Sequence, residues 1–392
     1  MRPHRAALLV VAAGLLVPSA ALACMWDYDT IKMERSRFPG ALELITGKFL
    51  RHSPEFYEWR IKNRLKRLEA DPTNASLLDD LAVAYDKTGQ HEKAIETAQK
   101  TERLHPGRYE TASNLGTFYF HAGRPEEGIP HIDRALKINP DAHFGREKYQ
   151  KFLTEYVIER RKDGVLKLPM YEVQVTPTES RGLPNPEQHA HRIGFADHLQ
   201  RPWASPRPAF DRPAAIKGVL GMMRFAKHDS PVLLEALGML LHDEGSPTED
   251  AKLLAARALL KASYEVPNGP ARESYRRMAD SARRMQTTGG GSLAEVEANF
   301  QKELEEGRAW YADLRERELS WIRDGKDPEA EFDKLYDAEP EVSGMDVRDP
   351  MTPDERMRWF LIGLGVAFAL MAIATLVGVG FIVRHIRRGR AV

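Results

Sequence analysis

Between residues 75 and 140 apolar side chains recur with helical spacing, and the whole pattern then repeats. Leu78, Leu81, Ala82 and Tyr85 fall at i, i+3, i+4 and i+7 on one helical face, and Gly89 follows where a helix end needs a positive φ. A second stripe runs through Ala94, Ile95, Ala98, Thr101 and Leu104 and stops at Pro106, because proline cannot continue a helix. Thirty-four positions on, Ala112, Leu115, Gly116, Tyr119, Gly123, Gly128, Ile132, Ala135 and Pro140 follow the same order. Ala82 corresponds to Gly116 and Ala94 to Gly128, small residues where helix axes must approach closely. A fixed period of this length predicts stacked helix–turn–helix units.

The flanks extend the stack. Residues 55–70 predict a helix that ends at Asp71-Pro72, in phase with the later prolines, so 24–70 forms an N-terminal helical cap. Residues 71–160 hold the repeats and a capping helix with Tyr149, Phe152, Leu153 and Tyr156 inward. Prolines break every candidate helix in 161–210, which predicts a loop or linker with a short extended piece in VLKLPMYEVQVT. Helical spacing returns over 211–337. Within it, 231–264 sets Leu237, Gly238 and Leu241 like Leu115, Gly116 and Tyr119, either a degenerate third repeat or an ordinary hairpin. Ser292 and Glu295 form a capping-box pair at the start of a long polar helix running to about Arg323. Residues 338–356 are acidic and proline-bearing, a stalk.

The two ends change the picture. Residues 1–23 carry Arg2 and Arg5, an apolar run and Ala21-Leu22-Ala23, the layout of a secretory signal. Cleavage there leaves Cys24 first, a lipidation candidate, although Ala21 stands where a lipoprotein box prefers leucine. A charge-free run from Trp359 to Val383 predicts a transmembrane helix at 357–383, with the arginine-rich tail 384–392 on the cytoplasmic side. The expected location is therefore the cell membrane, single-pass, with the bulk extracytoplasmic. Small pairs such as Gly363/Ala367 would let two spans pair as a homodimer. Lysine plus arginine and aspartate plus glutamate number 57 each, which argues against a nucleic-acid partner. With one cysteine the chain forms neither an internal disulfide nor a cysteine zinc cage.

The stretches LDDLAVAYDKTGQHEKAIETAQKTERLHP and ASNLGTFYFHAGRPEEGIPHIDRALKINP closely resemble the tetratricopeptide repeat (TPR) family, with Leu78 and Ala112 where its tryptophan usually stands. The resemblance covers only these two units. It implies an all-α fold: a TPR solenoid, then a second helical region and the single C-terminal transmembrane helix. It also implies a concave groove lined by the first helix of each repeat: Asp79, Val83 and Asp86, then Ser113, Asn114, Thr117, Phe120 and His121. Some family members clamp a peptide carboxylate with Lys and Asn where this chain has Asp79 and Val83, so a basic or polar protein segment is the expected partner. Accessible groove residues are the expectation. The alternative is a self-filled groove, with Phe120 packed under 56–69 or 165–176.

Chemistry-bearing motifs are few. Glu187, His189, His191, Asp197 and His198 form a weak candidate metal cluster, read chiefly as a packed or solvated loop. Gly289-Gly290-Gly291 lacks the strand and Gly-Lys-Ser/Thr of a phosphate loop. Trp26 and Tyr28, beside Asp27 and Asp29, read as packing onto the first helices. The leading expectation is a non-enzymatic, membrane-anchored scaffold without a cofactor. The alternatives are an enzyme with a metal-dependent site in 165–330, or a lipoprotein-like envelope assembly factor.

Overall fold

The computed structural model describes residues 25–30, 33, 37–140, 145–174, 191–201, 209–242, 249–285 and 291–338. All of them belong to one compact unit within residues 1–347. The elements in chain order are α1 (Ala41–Thr46), α2 (Pro54–Ala70), α3 (Ala75–Lys87), α4 (His91–Leu104), α5 (Tyr109–His121), α6 (Pro125–Ile138) and α7 (Glu147–Arg160). Strands β1 (Arg161–Lys162), β2 (Val165–Leu166), β3 (Glu172–Gln174) and β4 (His191–Ile193) follow. The chain continues through α8 (Phe195–Gln200), α9 (Arg212–Phe225), α10 (Pro231–His242), α11 (Glu249–Tyr264), α12 (Pro270–Arg284), α13 (Leu293–Arg323) and α14 (Pro328–Asp337).

Helices α3 to α6 stack as consecutive pairs, with α2 against α3 and α7 against α6. Gly89 and Gly123 both take φ +76°, which turns the chain between the helices of each pair and strains any other residue. The small residues set how closely the pairs pack. A Cβ on Gly128 would lie 2.7 Å from the Gly116 carbonyl oxygen, so α5 and α6 approach almost backbone to backbone. A Cβ on Gly238 would likewise lie 2.7 Å from Leu259 Cγ, where α10 crosses α11.

Among the described residues two apolar cores are the largest. Ala82, Val83, Ala94, Ile95, Ala98, Leu115, Phe118 and Tyr119 fill the repeat pairs. A larger core joins α7 and α9 to α12 with α1 and the first turns of α13. The 161–210 region adds Phe195, Ala196 and Leu199 to that core, and its Met170 and Tyr171 amides donate to the buried Glu235 carboxylate at 3.0 and 2.7 Å. Ser292 caps α13 as its sequence implies: Glu295 N donates to Ser292 Oγ and Ser292 N to Glu295 Oε2.

The expected all-α class with a C-terminal transmembrane helix needs correction. The chain is mainly helical, but β1–β2 and β3–β4 are two short antiparallel pairs. Among the described residues no helix is long and apolar enough to cross a membrane. The longest, α13, has the length but carries charges on every turn. The signal-like 1–23, Cys24, the stalk from 339, the 357–383 run and the 384–392 tail lie outside the described residues.

Candidate functional site

The face expected to bind a partner is occupied by the chain's own N-terminal segment. Met25 enters the repeat core beside Val83. Asn114 holds Trp26 from both sides: Trp26 N donates to Asn114 Oδ1 at 2.8 Å, and Asn114 Nδ2 donates to Trp26 O at 2.9 Å. The indole meets Tyr109 edge-on, centroids 5.8 Å apart, and Tyr28 N donates to Asp80 Oδ1 at 2.9 Å. The array thus grips a turn-forming segment through side-chain-to-backbone hydrogen bonds.

The other expected groove residues are also committed inside the chain, so the expectation of accessible side chains is corrected. Asp79 accepts from Thr111 and Arg108, and burial nevertheless pushes its carboxyl up to about 6. Ser113 Oγ and Tyr109 Oη both donate to Glu147 of α7, and Gln150 of the same helix donates to Thr117. Phe120 is 5% exposed, in a core that holds Tyr149, Leu153 and Met170, so the self-filled alternative fits it, with residues of 165–176 and not of 56–69 in that core. Asp86 lies between His91 and His121. The cause is general: the segment at 25–30 and helix α7 together roof the face that the first helices of the repeats present.

Beside this segment sits a buried ionic cluster that residue spacing did not disclose. Arg60 is fully buried, donating to Glu329 at 2.7 Å, Asp27 at 2.8 Å and Asp29 at 2.6 Å. Arg64 donates to Asp80 at 2.8 Å and Glu329 at 2.5 Å. His52 bridges Asp29 at 3.0 Å and Glu318 at 2.5 Å. Burial pushes the imidazole down, but the charges and hydrogen bonds of Asp29 and Glu318 outweigh it and hold its pKa up at about 9. Burial likewise raises Asp29, yet Arg60 and His52 keep it well below the usual carboxylate range. The only sequence sign was a pair of arginines one helical turn apart on α2.

Next to the cluster opens a recess of about 580 Å³ between Met25, Asp27, Thr30 and Met33 on one side and α1, α9 and α13 on the others. Its described lining carries seven lysines and arginines (51, 87, 224, 227, 261, 308 and 315) against two aspartates, Asp27 and Asp229. Lys87 Nζ donates to the carbonyls of Phe225 and Ala226, and burial lowers it to about 8. Arg51 lies 3.6 Å over the Tyr311 ring and is lowered to about 10, again chiefly by burial. Burial, then Arg51, pushes His228 down to about 3. Positive charge outnumbers negative in this lining, with Arg315, Lys261 and Lys227 paired to Glu55, Glu265 and Asp229.

One group among the described residues has metal-ligating composition and proximity: Asp86, His91 and His121. The histidines expected as weak metal candidates are not gathered there. His198 is buried with Nδ1 3.0 Å from Glu159, His191 contributes backbone to β4, and His189 lies outside the described residues.

No family profile matches this sequence. Over 75 residues the chain is 27% identical to the small glutamine-rich tetratricopeptide repeat-containing protein 2 of Mycosarcoma maydis. The match covers 19% of this chain and 21% of that protein, so the chain spans about a fifth of the length of this relative. The likeness and the stacked helix pairs fit a TPR-like arrangement and suggest a role in protein–protein interaction rather than catalysis.

Proposed function

We propose that the chain is a protein-interaction scaffold that accepts an acidic segment of a partner in the basic recess beside its N-terminal segment. One observation carries this: at the buried cations Lys87 and Arg51, burial outweighs the carboxylates that act on them, Asp27, Asp86 and Asp29 at Lys87 and Asp229 at Arg51, so their charge is held down. An acidic side chain or chain terminus would supply further negative charge and restore both pKa values. This reverses the polarity expected of the partner from Asp79 and Asp86, because those carboxylates are already matched within the chain. The repeat face supports the reading indirectly, since it fixes the wall of the recess through residues 25–30.

A fluorescein-labelled peptide of alternating glutamate and glycine should bind the full chain, and its lysine counterpart should not. Lys227 and Arg308 are exposed on the rim, so Lys227→Glu/Arg308→Glu should leave the fold intact. Anisotropy should show binding weakened at least tenfold, and weakened too by added salt. Equal binding of both peptides, or no effect of the double variant, would refute the assignment. An exported location is part of the proposal and rests on the leader-like residues 1–23 alone. An export-dependent reporter joined after Ala338 tests it, and an inactive reporter would remove it.

A further inference from the structure

The turn between the helices of the first repeat gathers three metal-ligating side chains. Asp86 is in the last turn of α3, His91 opens α4, and His121 closes α5. The Asp86 carboxylate is 2% accessible and sits between two imidazoles, its Oδ1 2.8 Å from His91 Nδ1 and its Oδ2 2.7 Å from His121 Nδ1. The ring centroids are 5.8 Å apart, so both rings fan outward from the carboxylate. His121 is nearly covered, and its Nε2 is buried with no hydrogen-bond partner among the described residues. His91 is more open, and an outward-facing recess of about 550 Å³ lies over both rings, lined by Gln90, Glu92 and Lys93 among others.

We propose that Asp86, His91 and His121 bind a divalent transition-metal ion of the zinc class, through one carboxylate oxygen and the two Nδ1 atoms. One ligand atom from each residue already lies within 4.8 Å of the other two. Metal–nitrogen and metal–oxygen bonds of about 2.0–2.2 Å in a tetrahedral site put ligand atoms roughly 3.3–3.6 Å apart. The nitrogen–oxygen pairs that now hydrogen-bond, each to a different carboxylate oxygen, would part by under about 1 Å, and the carboxylate would turn to offer one oxygen to the ion. Three protein ligands leave a fourth position facing the recess, for water or a donor from a partner. The protons also balance. A neutral imidazole moves its Nδ1 proton to Nε2, an imidazolium releases it to solvent, and at His121 the proton on the buried Nε2 requires a water or a shifted side chain to accept it.

The site joins both ends of one repeat to the next, so an ion there would lock α3, α4 and α5 together. The competing account is a plain carboxylate–histidine clamp that never takes up metal. Titration of Zn²⁺ into the full chain, carrying Cys24→Ser to remove the lone thiol, separates the two. The proposal expects one equivalent bound, and Co²⁺ in its place giving the visible absorption of a tetrahedral ion. His91→Ala alters a partly exposed position and should fold, yet weaken Zn²⁺ binding by about tenfold or more. His105→Ala, outside the cluster, should bind like the parent. Absence of stoichiometric binding, or binding unchanged in both His91→Ala and His121→Asn, would overturn the site.

Discussion

Replacing Arg60 with methionine should be among the most damaging single changes in this chain. The guanidinium is fully buried, contacts Asp27, Asp29 and Glu329 at 2.6–2.8 Å, and lies 4.4 Å over the Phe56 ring. Methionine keeps much of the stem's packing but leaves three carboxylates facing one another, with Arg64, His52 and, further off, Lys87 as remaining cations. At about 4 Å and an effective dielectric of about 20, each lost attraction is of order 4 kcal/mol. The carboxylates relieve most of that by taking up protons and water, so the expected net loss is the ~3–5 kcal/mol typical of a broken buried ion pair. Urea unfolding at pH 7, followed by circular dichroism and tryptophan fluorescence, reads this as a lower midpoint. The sign with pH is also set. Asp29 ionises in the fold well below its unfolded value of 3.8, so its stabilising contribution is present above about pH 4 and declines as pH falls further. The gap between wild type and variant should therefore narrow below pH 4. A variant within about 1 kcal/mol of wild type at pH 7 would show that the carboxylates do not depend on Arg60.

His52 makes a second pH-dependent contribution: its folded pKa of about 9 exceeds the unfolded 6.5, so stability is full below pH 6.5 and lost as pH rises towards 9. The loss is up to about 3 kcal/mol, and His52→Gln should flatten this slope of melting temperature against pH; an equally steep slope would acquit His52. Lys87, lowered to about 8, works in the opposite direction from there upward, so the comparison is cleanest between pH 6.5 and 8. Gly128→Ala should cost about 1–3 kcal/mol, because its Cβ would meet the Gly116 carbonyl oxygen at 2.7 Å; an unchanged melting temperature would mean the helices can separate freely. Asn114→Ala removes both hydrogen bonds to the Trp26 backbone and should expose the segment at 25–30 to protease while helical content is retained, as peptide mapping by mass spectrometry would show.

The amino-acid order alone determined what is local or periodic here. The apolar stripes of α3 to α6, the turns at Gly89 and Gly123 and the cap at Ser292 each depend on residues a few positions apart, so spacing reveals them. The close approaches at Gly116, Gly128 and Gly238 were legible too, because only small residues fit where helix axes nearly touch. The identity of the site was a matter for the tertiary structure. Arg60 and Glu329 are 269 positions apart, and Asn114 and Trp26 are 88 apart. Nothing periodic links such pairs, and each residue alone resembles an ordinary polar surface position. Phe120 shows the same limit: its place on the helix faces the side expected to be concave, but α7 and its neighbours cover that side. Which face of a helix meets water depends on what the rest of the chain lays across it, and that follows from burying the largest apolar area with every buried charge matched, a condition on the whole fold.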